Sequence, residues 1–218
     1  MVAVARAGIR VPDALRRARD DWDERGRPEP CGSRWTPAIW TRRLPDYGAY
    51  LAGVPDRIDR AVVVARFARA ERDEVTCKEA FVTAMLWGHG LHAYGAYRTN
   101  RVLNDMTAGP RLLGALRRVR SEGGPAGFDY LAAHRLKGLG VSLGTKFLYF
   151  ARSGHDDVPA APILDRVVRR WLGKNTEWWP RMDWWSQDYA RFCDLVTEWA
   201  ADLCVRPDAV GQLMSQND

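Results

Sequence analysis

Residues 136 to 150 constrain the fold most: Leu136-Lys137-Gly138-Leu139-Gly140-Val141-Ser142-Leu143-Gly144-Thr145-Lys146-Phe147-Leu148-Tyr149-Phe150. A helical pattern stops, glycines crowd the next residues, and an apolar segment resumes. Glycine permits positive φ and close approach of another backbone. The stretch therefore predicts a helix, a tight turn and a second helix. Backbone N–H groups at the start of that second helix face outward and can hold a phosphate. The residues that would meet DNA are Gly138, Gly140, Ser142, Gly144 and Thr145. Such an element grips the DNA backbone without reading its sequence. An ordinary tight connection between two helices has the same glycine pattern, so the glycines alone do not choose between the two.

The rest of the chain reads as helix. Residues 1–54 form an extension broken repeatedly by Pro12, Pro28, Pro30, Pro37 and Pro45 and by Gly26, Gly32, Gly48 and Gly53, with one short helix over Asp13–Arg25. Pro55 suits a first helical turn, and Ile58, Ala61, Val62, Ala65 and Ala68 make a helical stripe. Thr76-Cys77-Lys78-Glu79 has the form of a capping box and opens a helix that stops at Gly88. Further helices are predicted over 98–106, 110–121, 125–136, 162–172 and 186–204. The last carries Tyr189, Phe192, Leu195, Val196, Trp199 and Leu203 on one face. No run reads as a β-strand and no repeat is present. The expectation is an all-α protein, 1–218 as one helical domain of about eight helices.

Composition narrows the setting. A hydrophobic content of 46% suits a buried core. No apolar run approaches the ~20 residues needed to span a bilayer, and Met1–Arg10, interrupted by Arg6, lacks the apolar centre of a signal peptide. A cytoplasmic monomer without membrane contact is expected. Cys31, Cys77, Cys193 and Cys204 are scattered, with no metal-ligand spacing, so buried reduced thiols and no metal site are expected. The net charge of +6 suits a polyanionic partner. Nearly all the basic residues are arginine; Lys78, Lys137, Lys146 and Lys174 are the lysines.

Lys146 is therefore conspicuous. It follows the hairpin directly and sits among Phe147, Leu148, Tyr149 and Phe150. Apolar surroundings favour the neutral, nucleophilic amine. Asp165 lies 19 residues later, in Ala161-Pro162-Ile163-Leu164-Asp165, near the start of a helix whose dipole stabilises a carboxylate. An amine can attack the anomeric carbon of a sugar, and a carboxylate can stabilise the electron-poor sugar left by base departure. A solvent-reaching lysine and a capping aspartate would leave the same trace in sequence.

The Gly-Thr-Lys at 144–146, followed at this spacing by the Pro-x-x-Asp at 162–165, resembles the 8-oxoguanine DNA glycosylase family. Trp87-Gly88-His89-Gly90 and Tyr94-Gly95-Ala96-Tyr97-Arg98 resemble a small bacterial branch with that fold. The resemblance covers about residues 76–172. It implies a helix-hairpin-helix glycosylase in which Lys146 forms a Schiff base, Asp165 is the catalytic carboxylate and strand cleavage follows as AP lyase activity. It needs no organic cofactor, though the hairpin carbonyls could hold a monovalent cation. The partner is double-stranded DNA with a damaged or modified base.

The chain departs from the family at the base-reading residues. It is too short for the extra β-domain of the larger members. Phe150 stands where they carry a pocket cysteine, Val167 where they carry a histidine, and Ser142 replaces a hairpin glycine. Two substrates follow: an oxidised purine in repair, or a bulky modified base of phage DNA in antiviral defence. The candidate pocket residues are Phe150, Trp87, His89, Trp184 and Trp185. The Trp178, Trp179, Trp184 and Trp185 cluster could stack on a flipped base or simply pack between helices. Arg98 and Arg101 could contact phosphate or form a solvated face. A non-catalytic helix-hairpin-helix DNA-binding module is the rival reading; it would keep the hairpin without needing Lys146 or Asp165.

Overall fold

The computed structural model describes residues 8–216; the Ala/Val stretch at 1–7 lies outside them. Among the described residues the chain forms twelve α-helices, so the all-α expectation holds while the number expected was too low. The segment read as a broken extension contains three of them: α1 (Asp13–Glu24), α2 (Pro37–Arg43) and α3 (Gly48–Ala52). It is also part of the core. Leu15, Trp22, Trp35 and Trp40 are buried, and the Trp40 indole donates to the Gly90 carbonyl at 2.8 Å.

Two short strands correct the sequence reading. β1 (Ser33–Arg34) pairs antiparallel with β2 (Arg57–Ile58), so Ile58 is a buried strand residue rather than part of a helical stripe. The helix starts later because Asp59 is extended and its carboxylate accepts the Val62 N–H at 2.9 Å, capping α4 (Arg60–Phe67). A similar shift occurs at α5 (Glu74–His89). Asp73, not Thr76, is its cap, accepting the Thr76 N–H at 2.8 Å. This helix also continues through Gly88 instead of stopping there.

α5 is the central element. Phe81 through Leu86 are all fully buried. It packs against α4, α6 (Ala93–Leu103), α7 (Ala108–Glu122) and α9 (Val141–Ala151). Phe67 of α4, Phe81 of α5 and Phe147 of α9 meet with ring centroids 5.5–6.0 Å apart. Each such buried ring contributes roughly 1.5–3 kcal/mol. α8 (Gly124–Ala133) precedes α9, and α10 (Arg166–Thr176) follows it. The chain ends close on each other: α12 (Pro207–Gln216) packs on α1, α10 and α11 (Ser186–Asp202). The Gln212 side chain donates to the Pro28 carbonyl at 3.1 Å.

Cys77 and Cys193 are buried free thiols as expected, but Cys31 and Cys204 are exposed. No helix among the described residues is long and apolar enough to cross a membrane.

Candidate active site

The hairpin is α8, the turn through residues 134–140, and α9. Gly138 adopts φ +97° at its apex, a conformation other residues resist. Gly140 is extended and leads into α9 without a side-chain cap. Its carbonyl accepts the N–H groups of Leu143 and Gly144 at 3.0 and 2.9 Å. Among the described residues the N–H groups of Val141 and Ser142 find no backbone acceptor, as the first N–H groups of a helix do not.

Lys146 lies in the second turn of α9 with only 6% of its surface exposed. Two features hold it there. Its stem crosses Gly88 of α5; a Cβ at that glycine would stand 2.9 Å from the lysine Cε and would push the stem aside. Its Nζ donates to Asp165 Oδ2 at 3.1 Å. The other Asp165 oxygen accepts the N–H groups of Val167 and Val168 at 3.0 and 3.1 Å. Asp165 is thus both the cap of α10 and the partner of Lys146, and the capping and pairing readings are both realised. Capping also explains why α10 begins after Asp165 rather than at Pro162. Burial alone would raise the Asp165 pKa. The Lys146 ammonium, then the backbone N–H groups, outweigh it and hold the carboxyl below its ordinary range.

Thr145 sets the distance between the two. It is fully buried; its hydroxyl accepts the Leu164 N–H at 3.0 Å and donates to the Val141 carbonyl at 2.9 Å. That latch ties the segment leading to Asp165 onto α9. The Thr145 side chain therefore faces inward, its hydroxyl used within the protein. Gly144 is also buried, giving way to Trp184: a Cβ there would run into the indole.

Lys146 and Asp165 line a cavity of ≈ 260 Å³. Trp87, Ile163 and Val168 form apolar wall, as does Tyr149, one turn beyond Lys146. Arg60, Asp208, Gln212 and Ser215 supply the polar groups. Arg60 pairs with Asp208 and stacks on Tyr149 with its guanidinium carbon 5.1 Å from the ring centroid. A second cavity of ≈ 890 Å³ adjoins the first, sharing Arg60, Tyr149, Pro162, Pro207 and Asp208 and adding Arg152, Arg206 and Asp156.

Of the expected pocket residues, Trp87 lines the cavity. Phe150 is fully buried behind it, edge-on to Trp87 at 5.1 Å between centroids. Trp184 packs on Gly144 and on Phe128, at 4.9 Å from the latter's centroid. Trp185 is exposed beneath Arg181. His89 sits against Gly95 of α6, its Nε2 buried without a hydrogen-bond partner. Burial, then the Lys146 charge, push its pKa down to about 4, so it is neutral at neutral pH. Sequence reasoning missed Tyr149, Arg60, Asp208 and Gln212. Only Tyr149 left a usable signal, its i+3 spacing from Lys146.

A cation at the hairpin carbonyls does not fit these residues. Arg98 of α6 donates from Nε and Nη2 to the Gly138 carbonyl, at 3.1 and 2.6 Å. The Leu136 carbonyl accepts the Leu139 N–H at 3.1 Å. Arg101, by contrast, is exposed, its stem lying beneath Gly138.

These features define a protein of the helix-hairpin-helix class. The family described as "Putative 8-oxoguanine DNA glycosylase OGG-like protein" matches residues 27–214, and the chain belongs to it. It is therefore a DNA glycosylase by family, with DNA as its partner. No curated protein and no solved structure matches the chain.

Proposed function

We propose that the protein excises a modified base from duplex DNA, with Lys146 as nucleophile and Asp165 as the carboxylate that stabilises positive charge on the sugar. The observation that carries this is the Nζ–Oδ2 pair at 3.1 Å, opening onto a cavity of base size. The nucleotide leaves the stack to reach it. One proton of the Lys146 ammonium leaves to solvent past Asp165. The neutral amine then bonds to C1′ as the glycosidic bond breaks. The base takes the bonding pair and a second proton from the nitrogen, and departs neutral. Ring opening moves the remaining N–H proton to O4′ and leaves an imine between Lys146 and C1′. Protonation of that imine acidifies C2′–H, and elimination then breaks the C3′–O bond.

The preferred substrate is a base with a bulky substituent, such as those of phage DNA, and the role is antiviral defence. Ligand sites commonly occupy about 300–1,000 Å³. The ≈ 260 Å³ cavity suits a flat base, and the adjoining ≈ 890 Å³ leaves room for a polar substituent past Arg60 and Asp208. The family description favours a second reading, removal of 8-oxoguanine. One experiment separates them. Matched duplexes carry 8-oxoguanine, guanine, or cytosine with and without a bulky 5-substituent. Released bases are identified by mass spectrometry, and the covalent species is trapped with borohydride. Release of the bulky cytosine, with a trapped adduct that Lys146→Ala abolishes, is expected. An adduct surviving Lys146→Ala moves the nucleophile elsewhere. Fast release of 8-oxoguanine alone restores the repair reading.

A further inference from the structure

Arg98 is placed where the hairpin turns. It projects from α6 into the hairpin turn, and its two bonds to the Gly138 carbonyl fix the apex residue at φ +97°. Nη2 also lies close to Gly140, where a Cβ would stand 2.9 Å from it. On its far side the guanidinium faces the Tyr94 ring at 5.9 Å from the centroid. Among the described residues its hydrogen-bond partner is a neutral carbonyl, not a carboxylate. The charge is therefore not cancelled locally. It lies at the turn that leads directly into the Val141 and Ser142 N–H groups, which find no backbone acceptor among the described residues.

We infer that Arg98 is the hairpin's built-in cation: its guanidinium replaces a bound monovalent ion, fixing the turn and supplying positive charge beside the DNA phosphate. A planar guanidinium can give two N–H groups to one oxygen and keep its charge at any working pH. A phosphate held by backbone N–H groups gains from a fixed charge nearby. A tethered cation also loses no affinity when the salt changes from one monovalent ion to another. This inference rests on the hairpin as the DNA-gripping element, so its test reads binding and not base release.

The probe is a fluorescein-labelled duplex with a tetrahydrofuran abasic analogue, followed by anisotropy at equal ionic strength in potassium chloride and in tetramethylammonium chloride. Wild-type protein is expected to bind equally in both. Arg98→Ala is expected to bind about tenfold more weakly in tetramethylammonium chloride, and to recover in part when potassium or millimolar guanidinium is supplied. Arg98→Lys, which keeps the charge, is expected to stay indifferent to the salt. Wild-type binding more than about threefold tighter in potassium overturns the inference, as does Arg98→Ala binding like wild type in both salts. If Arg98→Ala does not fold, the wild-type and Arg98→Lys comparisons still decide. No binding by wild type in either salt removes the DNA-gripping reading of the hairpin, and this inference with it.

Discussion

The Lys146–Asp165 pair and the walls of its pocket are built in opposite ways. Lys146 and Asp165 come from adjacent stretches of chain joined by the Thr145–Leu164 latch and by the cap of α10. Their spacing is set by local hydrogen bonds. The polar part of the pocket wall depends on long-range contacts: Arg60 meets Asp208 across 148 residues, and Gln212 reaches back to Pro28. Local hydrogen bonding can preserve a chemistry while the long-range contacts around it change. The proposed attack on C1′ could thus serve different bases. If this division is real, changes in the pair should lower every activity alike, and changes in the walls should alter which base is removed.

The largest effect belongs to Asp165. In Asp165→Asn the side-chain oxygen can still accept the Val167 and Val168 N–H groups, so α10 keeps its cap. What is lost is the charge facing Lys146. Single-turnover base release should fall by about 10²–10³-fold on every substrate, with the melting temperature little changed. Release within a few-fold of wild type would remove the pair from the chemistry.

Arg60 is the matching test of the walls. Arg60→Ala removes the Asp208 pair and the stack on Tyr149 while leaving Lys146 and Asp165 in place. Release of the bulky base should fall on the order of tenfold. Borohydride trapping on a preformed abasic site, which has no base to read, should stay within about twofold. Equal losses in both assays would break the division.

The same contrast explains what could be read from sequence. The hairpin, Lys146 and Asp165 were legible because each leaves a short-range mark: glycines at a turn, an amine in an apolar run, a carboxylate before a helix. The helices with clean periodicity, such as α7 and α11, were legible as well. Gly88 was misleading. Glycine there reads as a helix stop, yet its purpose is to let the Lys146 stem pass. Ile58 was misread because two-residue strands leave no alternation to detect. Arg60, Asp208 and Gln212 were invisible because nothing local ties them to a site; only the meeting of the chain ends does so. Phe150 came from residue-by-residue correspondence with the family, and the packing instead turns it behind Trp87.

A smaller effect concerns His89, which belongs to the Lys146 side of the comparison. Its pKa is about 4 in the folded protein against an ordinary value of 6.5, through burial and then the Lys146 charge. Between those values the unfolded chain binds a proton that the folded protein refuses. Stability therefore falls as pH drops from about 6.5 towards 4. Asp165, whose folded pKa is lowered, adds a further loss only below that range. His89→Gln should flatten the upper part of the decline, read as melting temperature at about pH 6.5 and about pH 4.5. A variant with the wild-type slope would show that His89 is solvated and not held beside Lys146.

The smallest effect is expected at Trp185, and it tests how far the pocket extends. Trp184 and Trp185 are neighbours in sequence with opposite surroundings. Trp184 fills the space above Gly144 and packs on Phe128, so it supports the hairpin helix from behind. Trp184→Ala should cost about 3 kcal/mol, the scale for a large aromatic removed from a packed site, and would lower activity only by unfolding the protein. Trp185 has 44% of its surface exposed, and its ring contact is the Arg181 guanidinium at 4.3 Å. Neither cavity includes it. Removing an exposed cation–π contact changes stability by about 0.5–1 kcal/mol at most. Trp185→Ala should therefore leave release of every base within about twofold of wild type, measured in single turnover at fixed salt. A selective loss on one modified base would extend the reading surface out to α11. The pocket would then have a wall that the free protein does not present.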